Sequence, residues 1–359
     1  MQNNQIKYKK TEVNRNMGDW EVAPIGEYFD VTTGKNLARA DRHKIGEYEI
    51  VGANGNIGYT NSYLVDGEFV VTGRVGTLGE IYYRKGKFWP SDNLLLIRGE
   101  KQSAKYLYYF LKTVDFRSLN VGSTQPLITQ TSIKNLEVMF PPVCEQQKIA
   151  EVLGALDDKI ELNKKMNKTL ESISQAIFKN WFLGGDKHFK LGKLSDIANV
   201  MTGKRPNNRS EVKTGEYDIP IIGAGSIMGY TDEALFQDED LIITGRVGTL
   251  GVLQRTYESC WTSDNALVTL SNYPNFTYQL MKSIDFESLN RGSTQPLITQ
   301  TDLQNYPVIT PPYSQIEKYE DIAQSFSEKM QSNLKEIETL SQIRDSFLPR
   351  LMCGKLRVG

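Results

Sequence analysis

The stretch GSTQPLITQT occupies Gly122–Thr131 and recurs letter for letter at Gly292–Thr301. A second motif, GRVGTLG, occupies Gly73–Gly79 and recurs at Gly245–Gly251, at nearly the same offset along the chain. Self-similarity with so long a period indicates domain duplication, because the repeats of solenoid proteins are much shorter. The chain is therefore one design built twice, and we expect its function to use two equivalent sites.

The two copies also share several shorter motifs in the same order. Each copy opens with a segment that ends in TGK, continues through GYT and SDN, and closes with a Pro-Pro pair. The matched segments are Trp20–Lys35 with Phe189–Lys204, Gly58–Thr60 with Gly229–Thr231, Ser91–Asn93 with Ser263–Asn265, and Pro141–Pro142 with Pro311–Pro312. This ordered series predicts that both copies adopt the same fold.

Composition limits the class of protein. With 359 residues and a net charge of −1, the chain is long enough for two or more domains. Its three cysteines and two histidines are too few and too scattered for a disulfide framework or a metal cluster. The polar amino terminus lacks a secretory signal, and no apolar run approaches bilayer length. We therefore expect a cytoplasmic protein without membrane association, in which residues 1–17 form a flexible arm.

The globular part of each copy is predicted to be α+β. Short β-rich runs alternate with Gly, Asn and Asp in residues 20–98 and 189–270, and a helical segment follows in each copy, near 104–113 and 276–284. The predicted domains are an arm (1–17), a first globular domain (18–142), a central long helix (143–184), a second globular domain (185–312) and a carboxy-terminal long helix with its tail (313–359).

Two long helices are predicted after the Pro-Pro pairs. Apolar residues recur at spacings of three and four through Glu145–Phe182 and Gln315–Met352, which indicates one seam along each helix. The seams suggest that the helices pair as an antiparallel coiled coil. At about 1.5 Å per residue, helices of about 38 residues would form a rod of about 55 Å. Such a rod would span about one and a half turns of B-DNA, at ~34–36 Å per turn.

The same seams contain polar interruptions at matched positions, Asn163 and Asn333. In an antiparallel pair these asparagines would face each other and could fix the register at some cost in stability. The alternative is that they are two unpaired surface residues. The residues expected to take part in helix pairing are Leu156, Ile160, Asn163, Leu170, Phe326, Met330, Asn333 and Leu340.

Basic residues cluster in one loop of each copy despite the near-zero net charge. The two loops contain Lys35, Arg39, Arg42 and Lys44 in the first copy, and Lys204, Arg205, Arg209 and Lys213 in the second. Two equivalent basic loops fit a polyanion contacted at two places, and we take these residues as candidate DNA contacts. The alternative is that both are ordinary solvated loops.

Further polar side chains recur beside the glycine turns. The additional candidates for DNA binding are Arg74, Asn93, Thr124, Gln125, Arg246, Asn265, Thr294 and Gln295. Such side chains bond phosphate oxygens and base edges, although capping or turn formation explains identical residues equally well. If the two copies read different sequences, the readers should lie where the copies diverge. The divergent segments are Asn54–Asn56 against Gly225–Ile227, and Asn36–His43 against Arg205–Val212.

No catalytic site can be assembled from the sequence. The GxxGxxG pattern within Gly73–Gly79 lacks both the dinucleotide fingerprint and the Gly-Lys-Ser/Thr ending of a P-loop. The segment Thr310–Tyr313 is similar to the NPPY motif of adenine N6-methyltransferases, but its counterpart Phe140–Val143 lacks the polar residue and the aromatic one. The Pro-Pro pairs are better explained as rigid entries to the long helices.

Taken in order, these motifs resemble the specificity (S) subunit of type I restriction-modification systems. The resemblance rests on TGK, GRVGTLG, the STQP loop and the Pro-Pro pair followed by CEQQKIAEVLGALDDKIELNKK at Cys144–Lys165, and it covers Trp20 to about Leu356. The second helix departs from the pattern, with Gln315–Lys318 reading QIEK where Glu145–Lys148 reads EQQK.

The resemblance implies a non-catalytic, sequence-specific DNA-binding subunit in a defence system against foreign DNA. The two globular units would be target recognition domains, each reading one half of a bipartite sequence, and the paired helices would set the gap and dock the methyltransferase subunits. The implied partners are double-stranded DNA, two methyltransferase (M) subunits and restriction (R) subunits. S-adenosylmethionine, ATP and Mg are expected in those subunits, and no cofactor in this chain.

Two other classes of protein remain to be tested. A coiled-coil scaffold with two modules would show no DNA binding. A DNA-binding protein would show an affinity that falls steeply with salt, because its phosphate contacts release counterions. A self-contained methyltransferase or nuclease is the weaker alternative. Incubating the chain alone with S-adenosylmethionine and DNA tests it, because turnover would show that the chain is an enzyme.

Overall fold

The chain divides into two units of similar construction. The computed structural model describes residues 19–75, 79–121, 126–184 and 189–358, and the arm predicted for residues 1–17 lies outside these ranges. Unit 1 comprises Met1–Leu162 together with Ile337–Gly359, and unit 2 comprises Asn163–Glu336. Each long helix is therefore shared between the two units. Every unit contains a mixed sheet, short helices and parts of both long helices, in agreement with the predicted α+β class.

Unit 1 is built on a six-stranded sheet with the order β2-β7-β5-β6-β3-β4, and β1 pairs separately with β8. All neighbours are antiparallel except β3 and β6, which run parallel. The strands are β1 (Glu21–Pro24), β2 (Phe29–Thr33), β3 (Tyr48–Gly52), β4 (Gly55–Thr60), β5 (Val65–Gly73), β6 (Ile81–Pro90), β7 (Leu94–Gly99) and β8 (Glu137–Phe140). The helices are α1 (Ile25–Tyr28), α2 (Ala104–Leu111), α3 (Gln130–Lys134) and the first part of α4 (Val143–Phe178), with 3₁₀ turns at Arg39–Asp41 and Phe116–Leu119.

Unit 2 repeats this plan with its sheet divided. Its strand orders are β10-β16-β13-β14, β12-β11-β15 and β17-β9. The strands are β9 (Lys190–Lys193), β10 (Asn199–Thr202), β11 (Ile219–Ile222), β12 (Ile227–Thr231), β13 (Leu241–Gly245), β14 (Leu253–Thr256), β15 (Trp261–Thr262), β16 (Ala266–Leu270) and β17 (Pro307–Thr310). The helices are the second part of α4, α5 (Pro274–Met281), α6 (Gln300–Gln304) and the first part of α7 (Tyr313–Met352), with a π-helical turn at Lys179–Leu183 and 3₁₀ turns at Leu194–Asp196 and Glu287–Leu289.

The core of each unit joins its sheet to a long helix through one short helix. In unit 1, Tyr106, Leu107 and Phe110 of α2 are buried in a cluster that includes Ile149 and Leu153 of α4. In unit 2, Phe276 and Leu280 of α5 occupy the equivalent cluster, which includes Ile316 and Tyr319 of α7. Removal of this apolar surface from water fixes each sheet to a long helix.

Polar contacts reinforce these joints. In unit 1 the carboxylate of Asp157 accepts hydrogen bonds from the Tyr109 hydroxyl (2.7 Å) and from Arg344 Nη1 (2.8 Å). In unit 2 the carboxylate of Glu320 accepts bonds from the backbone N–H groups of Asn275 (3.0 Å) and Phe276 (2.9 Å) at the start of α5. Burial raises the pKa of Glu320, although these hydrogen bonds oppose the shift.

The long helices match their predicted extent, and the seam residues named for pairing are all buried or half-buried. Asn163 and Asn333 are fully buried at 0% exposure, so the alternative of two surface asparagines is wrong. The two asparagines do not bond each other as expected, but each bonds a residue near the other one along the facing helix. Asn163 Nδ2 donates to Glu336 (2.9 Å) and Asn333 Nδ2 donates to Asn167 (2.7 Å), all within unit 2.

Candidate nucleic-acid interface

The TGK and SDN motifs meet at one end of the sheet in each unit. In unit 1, Lys35 N–H donates to the carbonyl of Pro90 (3.0 Å), just before SDN, and the Trp89 indole N–H donates to Lys35 O (2.9 Å). In unit 2, Lys204 N–H donates to Thr262 O (2.9 Å) and Trp261 donates to Lys204 O (2.6 Å). The backbone of each motif lysine is thus held in place, while its side chain is exposed.

The GRVGTLG and GSTQPLITQT motifs also lie side by side. In unit 2, Arg246 O accepts from Ile298 N–H (2.9 Å), and Gly248 N–H donates to Pro296 O (2.9 Å). In unit 1, Arg74 O accepts from Ile128 N–H (2.9 Å). These bonds join the two longest repeated motifs, which are far apart in sequence, into one cluster of loops.

Arg74 and Arg246 connect this cluster to the SDN turns. Arg74 N–H donates to Asn93 O (3.0 Å), and Arg246 N–H donates to Asn265 O (2.9 Å). Both arginine side chains are half-buried, and the Nε of each is buried without a hydrogen-bond partner among the described residues. Arg246 Nη1 reaches the carbonyl of Asp264 (3.2 Å). Asn93 is exposed and Asn265 is half-buried.

The second half of the decapeptide has a structural role that the sequence argument left open. Thr129 and Thr299 are the N-caps of α3 and α6, where their side chains accept bonds from backbone N–H groups. The following glutamines bond to the first strand of the sheet: Gln130 Nε2 donates to Thr33 Oγ1 (2.7 Å), and Gln300 Nε2 donates to Val200 O (2.9 Å). Capping and anchoring therefore explain why this Thr-Gln pair is identical in both copies.

The first half of the decapeptide presents its side chains to solvent in unit 2, where Thr294 and Gln295 are exposed. Thr124 and Gln125 of unit 1 lie outside the described residues. In unit 2 the loop is also fastened by Arg291, whose guanidinium donates to both carboxylate oxygens of Asp302. The hydrogen bond from Arg291, and then that from Thr299, hold the pKa of Asp302 below its usual range.

The predicted basic loops are exposed, but their side chains are not equivalent. Lys35, Arg39, Arg42, Lys44, Lys204, Arg205, Arg209 and Lys213 are all exposed. Arg42 nevertheless stabilises its own loop, since its Nε and Nη2 donate to Leu37 O (3.1 and 2.9 Å). Arg205 forms an ion pair with Asp264 (3.1 Å). The sequence did not distinguish these two arginines from the other cations.

Each basic loop is attached to the edge of a β-hairpin. His43 exchanges two backbone hydrogen bonds with Tyr59 on β4 (2.8 and 2.9 Å), and Ser210 exchanges two with Tyr230 on β12 (2.8 Å each). The hairpin turns contain the segments that differ between the copies, Asn54–Asn56 and Gly225–Ile227. Identical frameworks therefore display different residues at the same place.

Glycine is required where the TGK and SDN motifs meet. A Cβ at Gly203 would lie 2.3 Å from Ser263 O, and a Cβ at Gly34 would lie 2.1 Å from Ser91 O. Since both obstacles are backbone atoms, a side chain cannot be accommodated unless the strand ends separate.

We expect Gly203→Ala to lower the free energy of unfolding by about 1–3 kcal/mol, the usual cost of overpacking. Gly215→Ala is the matched control in the same copy, because no atom lies within 4 Å of its Cβ. This control should leave stability unchanged or raise it slightly. Chemical denaturation of the two variants measures the difference, and equal stabilities would contradict the packing argument.

Other classes of site find no support in the described ranges. No group of three His, Cys, Asp or Glu side chains there is arranged to hold a metal ion. None of the helices in the described part of the chain combines the length and apolar character that a bilayer crossing requires. What both units share is the loop cluster with its exposed cations.

Comparison with known proteins agrees with the duplicated design. The family model described as the type I restriction modification DNA specificity domain matches residues 17–172 and again 186–342. The specificity subunit of the type I restriction enzyme MjaIX of Methanocaldococcus jannaschii is 25% identical over 99% of this chain and 97% of its own length. The specificity subunit of the type I restriction enzyme HindI of Haemophilus influenzae is 26% identical over 73% of this chain and 76% of its own length.

A solved structure shares the fold. The S subunit of a type I restriction-modification system from M. genitalium aligns with a TM-score of 0.69 and 21% identity, covering 94% of this chain and 97% of that one. The two family matches together span most of the sequence and coincide with its two copies. This chain therefore belongs to the type I restriction-modification DNA specificity family and contains the family's domain twice.

Proposed function

We infer that this chain is the sequence-specific DNA-binding subunit of a type I restriction-modification complex. The observation that carries the inference is the DNA specificity domain, which occurs twice and spans both copies of the design. The relatives that match nearly the whole chain are specificity subunits. The chain is accordingly non-catalytic, and a scaffold that never touches DNA is not favoured.

We propose that each unit reads one half of a bipartite target. Exposed cations on the basic loops suit phosphate oxygens, whereas amides, hydroxyls and arginines near the turns suit base edges. The proposed contacts are Lys35, Arg39, Arg42, Lys44, Arg74, Asn93, Thr124 and Gln125 in the first copy, and Lys204, Arg205, Arg209, Lys213, Arg246, Asn265, Thr294 and Gln295 in the second. Among the cations of the basic loops, Arg42 and Arg205 should contribute least, because their guanidinium groups already have partners.

The long helices are proposed to pair as an antiparallel coiled coil that sets the gap between the half-sites. Contacts inside the units support this pairing. In unit 1, Asp157 of α4 bonds Arg344 of α7. In unit 2, Ser174 bonds Tyr319 (2.8 Å) while Asn163 bonds Glu336 (2.9 Å), so residue numbers fall along α7 as they rise along α4.

The partners proposed for the assembled complex are double-stranded DNA, two methyltransferase subunits and restriction subunits, acting in the cytoplasm. Methylation with S-adenosylmethionine, and cleavage driven by ATP with Mg, would belong to those subunits. The purified chain alone, incubated with S-adenosylmethionine and DNA, should therefore yield no methylated adenine. Clear turnover by the chain alone would contradict the assignment.

The charge of the basic loops can be tested by salt titration. Against a duplex pool of random sequence, the chain in complex with its methyltransferase subunits should bind more weakly as salt rises. The triple variant Lys35→Ala, Arg39→Ala and Lys44→Ala should reduce the slope of log K against log salt by up to ~2.7, since each phosphate that is no longer neutralised lowers the slope by ~0.9.

A matched control removes the same charge elsewhere. Lys164, Lys168 and Lys329 are exposed on the long helices, and their replacement by alanine should leave the salt slope closer to that of the parent. Equal slopes for both triple variants would mean that the basic loops make no phosphate contacts. A parent complex with no affinity for the pool would contradict DNA binding altogether.

A further inference from the structure

The two hairpins share one backbone register but differ in chemistry at an exposed position next to the turn. In unit 1, Val51 on β3 pairs with Asn56 on β4. In unit 2, Ile222 on β11 pairs with Ile227 on β12. Asn56 and Ile227 are therefore equivalent, each next to its turn, and both side chains are exposed.

The residue that follows this position is structural in both copies. Ile57 lies over Gly52, where a Cβ would be only 2.8 Å from its Cγ2, and Met228 lies over Gly223, where a Cβ would be 2.2 Å from its Sδ. Each side chain therefore packs over its glycine while staying partly exposed, at 54% for Ile57 and 42% for Met228. The position before them is free to contact a ligand.

The hydrogen-bonding capacity of Asn56 is restricted by its own turn. Its Oδ1 accepts the backbone N–H of Gly58 (2.8 Å), which fixes the orientation of the amide. Because Asn56 is exposed, the two N–H groups on Nδ2 are accessible to a ligand. An amide held in this way can donate to the acceptors that guanine (N7 and O6), thymine (O4) and adenine (N7) present in the major groove.

Ile227 offers only methyl and methylene groups. It is 55% exposed, although burial of an aliphatic side chain is favourable. The apolar feature that the major groove presents to such a side chain is the 5-methyl group of thymine.

Both hairpins lie among the groups proposed to hold the DNA backbone. The basic loop pairs with the outer edge of each hairpin through His43 or Ser210. In unit 2 the turn also lies close to the GRVGTLG loop, since a Cβ added at Gly225 would be 3.8 Å from Thr249 Cγ2. A two-stranded ribbon fits the major groove, and phosphate contacts on its flank would hold its tip at the base edges.

We propose that Asn56 and Ile227 are specificity-determining residues at equivalent positions of the two half-sites. Asn56 donates to a base that presents a hydrogen-bond acceptor (guanine, adenine or thymine) and disfavours cytosine, which presents only a donor, and Ile227 selects thymine through its 5-methyl group. This inference rests on the proposed DNA-binding function. It accounts for how two units with the same framework read different half-sites.

The test uses the chain in complex with its methyltransferase subunits and a plasmid library containing random sequence, with methylated sites read by sequencing. Asn56→Ile should change the preferred base at one position of one half-site. Ile227→Asn should change one position of the other half-site. Val252→Ala removes another exposed apolar side chain of unit 2 and should leave the motif unchanged.

Two base analogues test the contacts atom by atom in duplexes that contain the parental motif. Deoxyuridine in place of the selected thymidine removes only the 5-methyl group. It should weaken parental binding about fourfold, corresponding to about 0.8 kcal/mol, and leave Ile227→Ala almost unaffected. If Asn56 selects guanine, 7-deazaguanine at that position should weaken the parent and leave Asn56→Ala unaffected.

The outcomes separate the two levels of the proposal. If the parent selects a motif that neither hairpin variant alters, or if deoxyuridine weakens the parent and Ile227→Ala equally, the hairpin inference is wrong while DNA recognition stands. If the parent selects no motif, the proposed function itself fails. Ile227→Val is the conservative control for misfolding, because valine retains branched methyl groups. It must keep the parental motif if the inference is correct.

Discussion

Removal of one heptad within Lys159–Leu170, together with the facing heptad of α7, should abolish recognition of the parental site. Seven residues shorten a helix by about 10 Å, which is the length of about three base pairs. Three base pairs also rotate the DNA by about 100°, whereas a heptad changes the direction of a helix face by only about 20°. Both the gap and the facing of the half-sites would therefore no longer match the parental spacing.

The measurement is the methylated motif of the deletion variant, compared with that of the parent. We expect at least a 100-fold loss of binding at the parental site, and any sites still selected should have a different gap. Lys164→Ala with Lys168→Ala changes exposed residues of the same stretch without altering its length, and it should keep the parental gap. Survival of that gap in the deletion variant would show that the helices do not act as a ruler.

Replacement of both buried asparagines, Asn163 and Asn333, by leucine should raise the free energy of unfolding. It should also make the gap between the two half-sites less strictly defined. The Oδ1 atoms of Asn163 and Asn333 are buried without a hydrogen-bond partner among the described residues, which costs free energy in the parent. A leucine at each position removes this cost, and the partners left behind, Glu336 and Asn167, are only half-buried and can bond to water instead. The same exchange removes the directional bonds to Glu336 and Asn167, which hold the helices in the observed register.

Thermal or chemical unfolding should therefore show an equal or higher free energy of unfolding for Asn163→Leu with Asn333→Leu. The methylated motif should then tolerate more than one gap. Ile160→Leu is the control in the same seam, since Ile160 is a buried apolar residue whose side chain donates no hydrogen bond, and it should retain the single parental gap. A double variant that is both less stable and unchanged in its gap would contradict the register hypothesis.

Much of this organisation was accessible from the sequence because it is encoded locally. The predicted strands within Val65–Gly73 and Leu94–Gly99 are present, since short β-rich runs bounded by Gly and Asn suit pleated, buried strands. The long helices were predicted with similar success from their apolar spacing. The domain boundaries proposed from the Pro-Pro pairs stay predictions, because the compact units divide within both long helices.

The candidate site was harder to predict from the sequence, because its parts meet only through hydrogen bonds between distant segments. Repetition identified the motifs but gave no sign that Arg246 would bond both the SDN turn and the decapeptide loop. Nor did it separate Thr299 and Gln300, which cap a helix and anchor a strand, from Thr294 and Gln295, which are exposed. The motif therefore contains two Thr-Gln pairs with the same sequence and different roles.

By itself, the sequence determined that the chain is a duplicated α+β design with two long helices and a family resemblance, because periodicity and repetition are properties of neighbouring residues. Only the tertiary structure decided which loops converge, which cations already have partners, and that Asn163 bonds Glu336 instead of Asn333. Those facts depend on the hydrogen bonds and packing that join distant segments. Spacing along the chain does not specify such geometry.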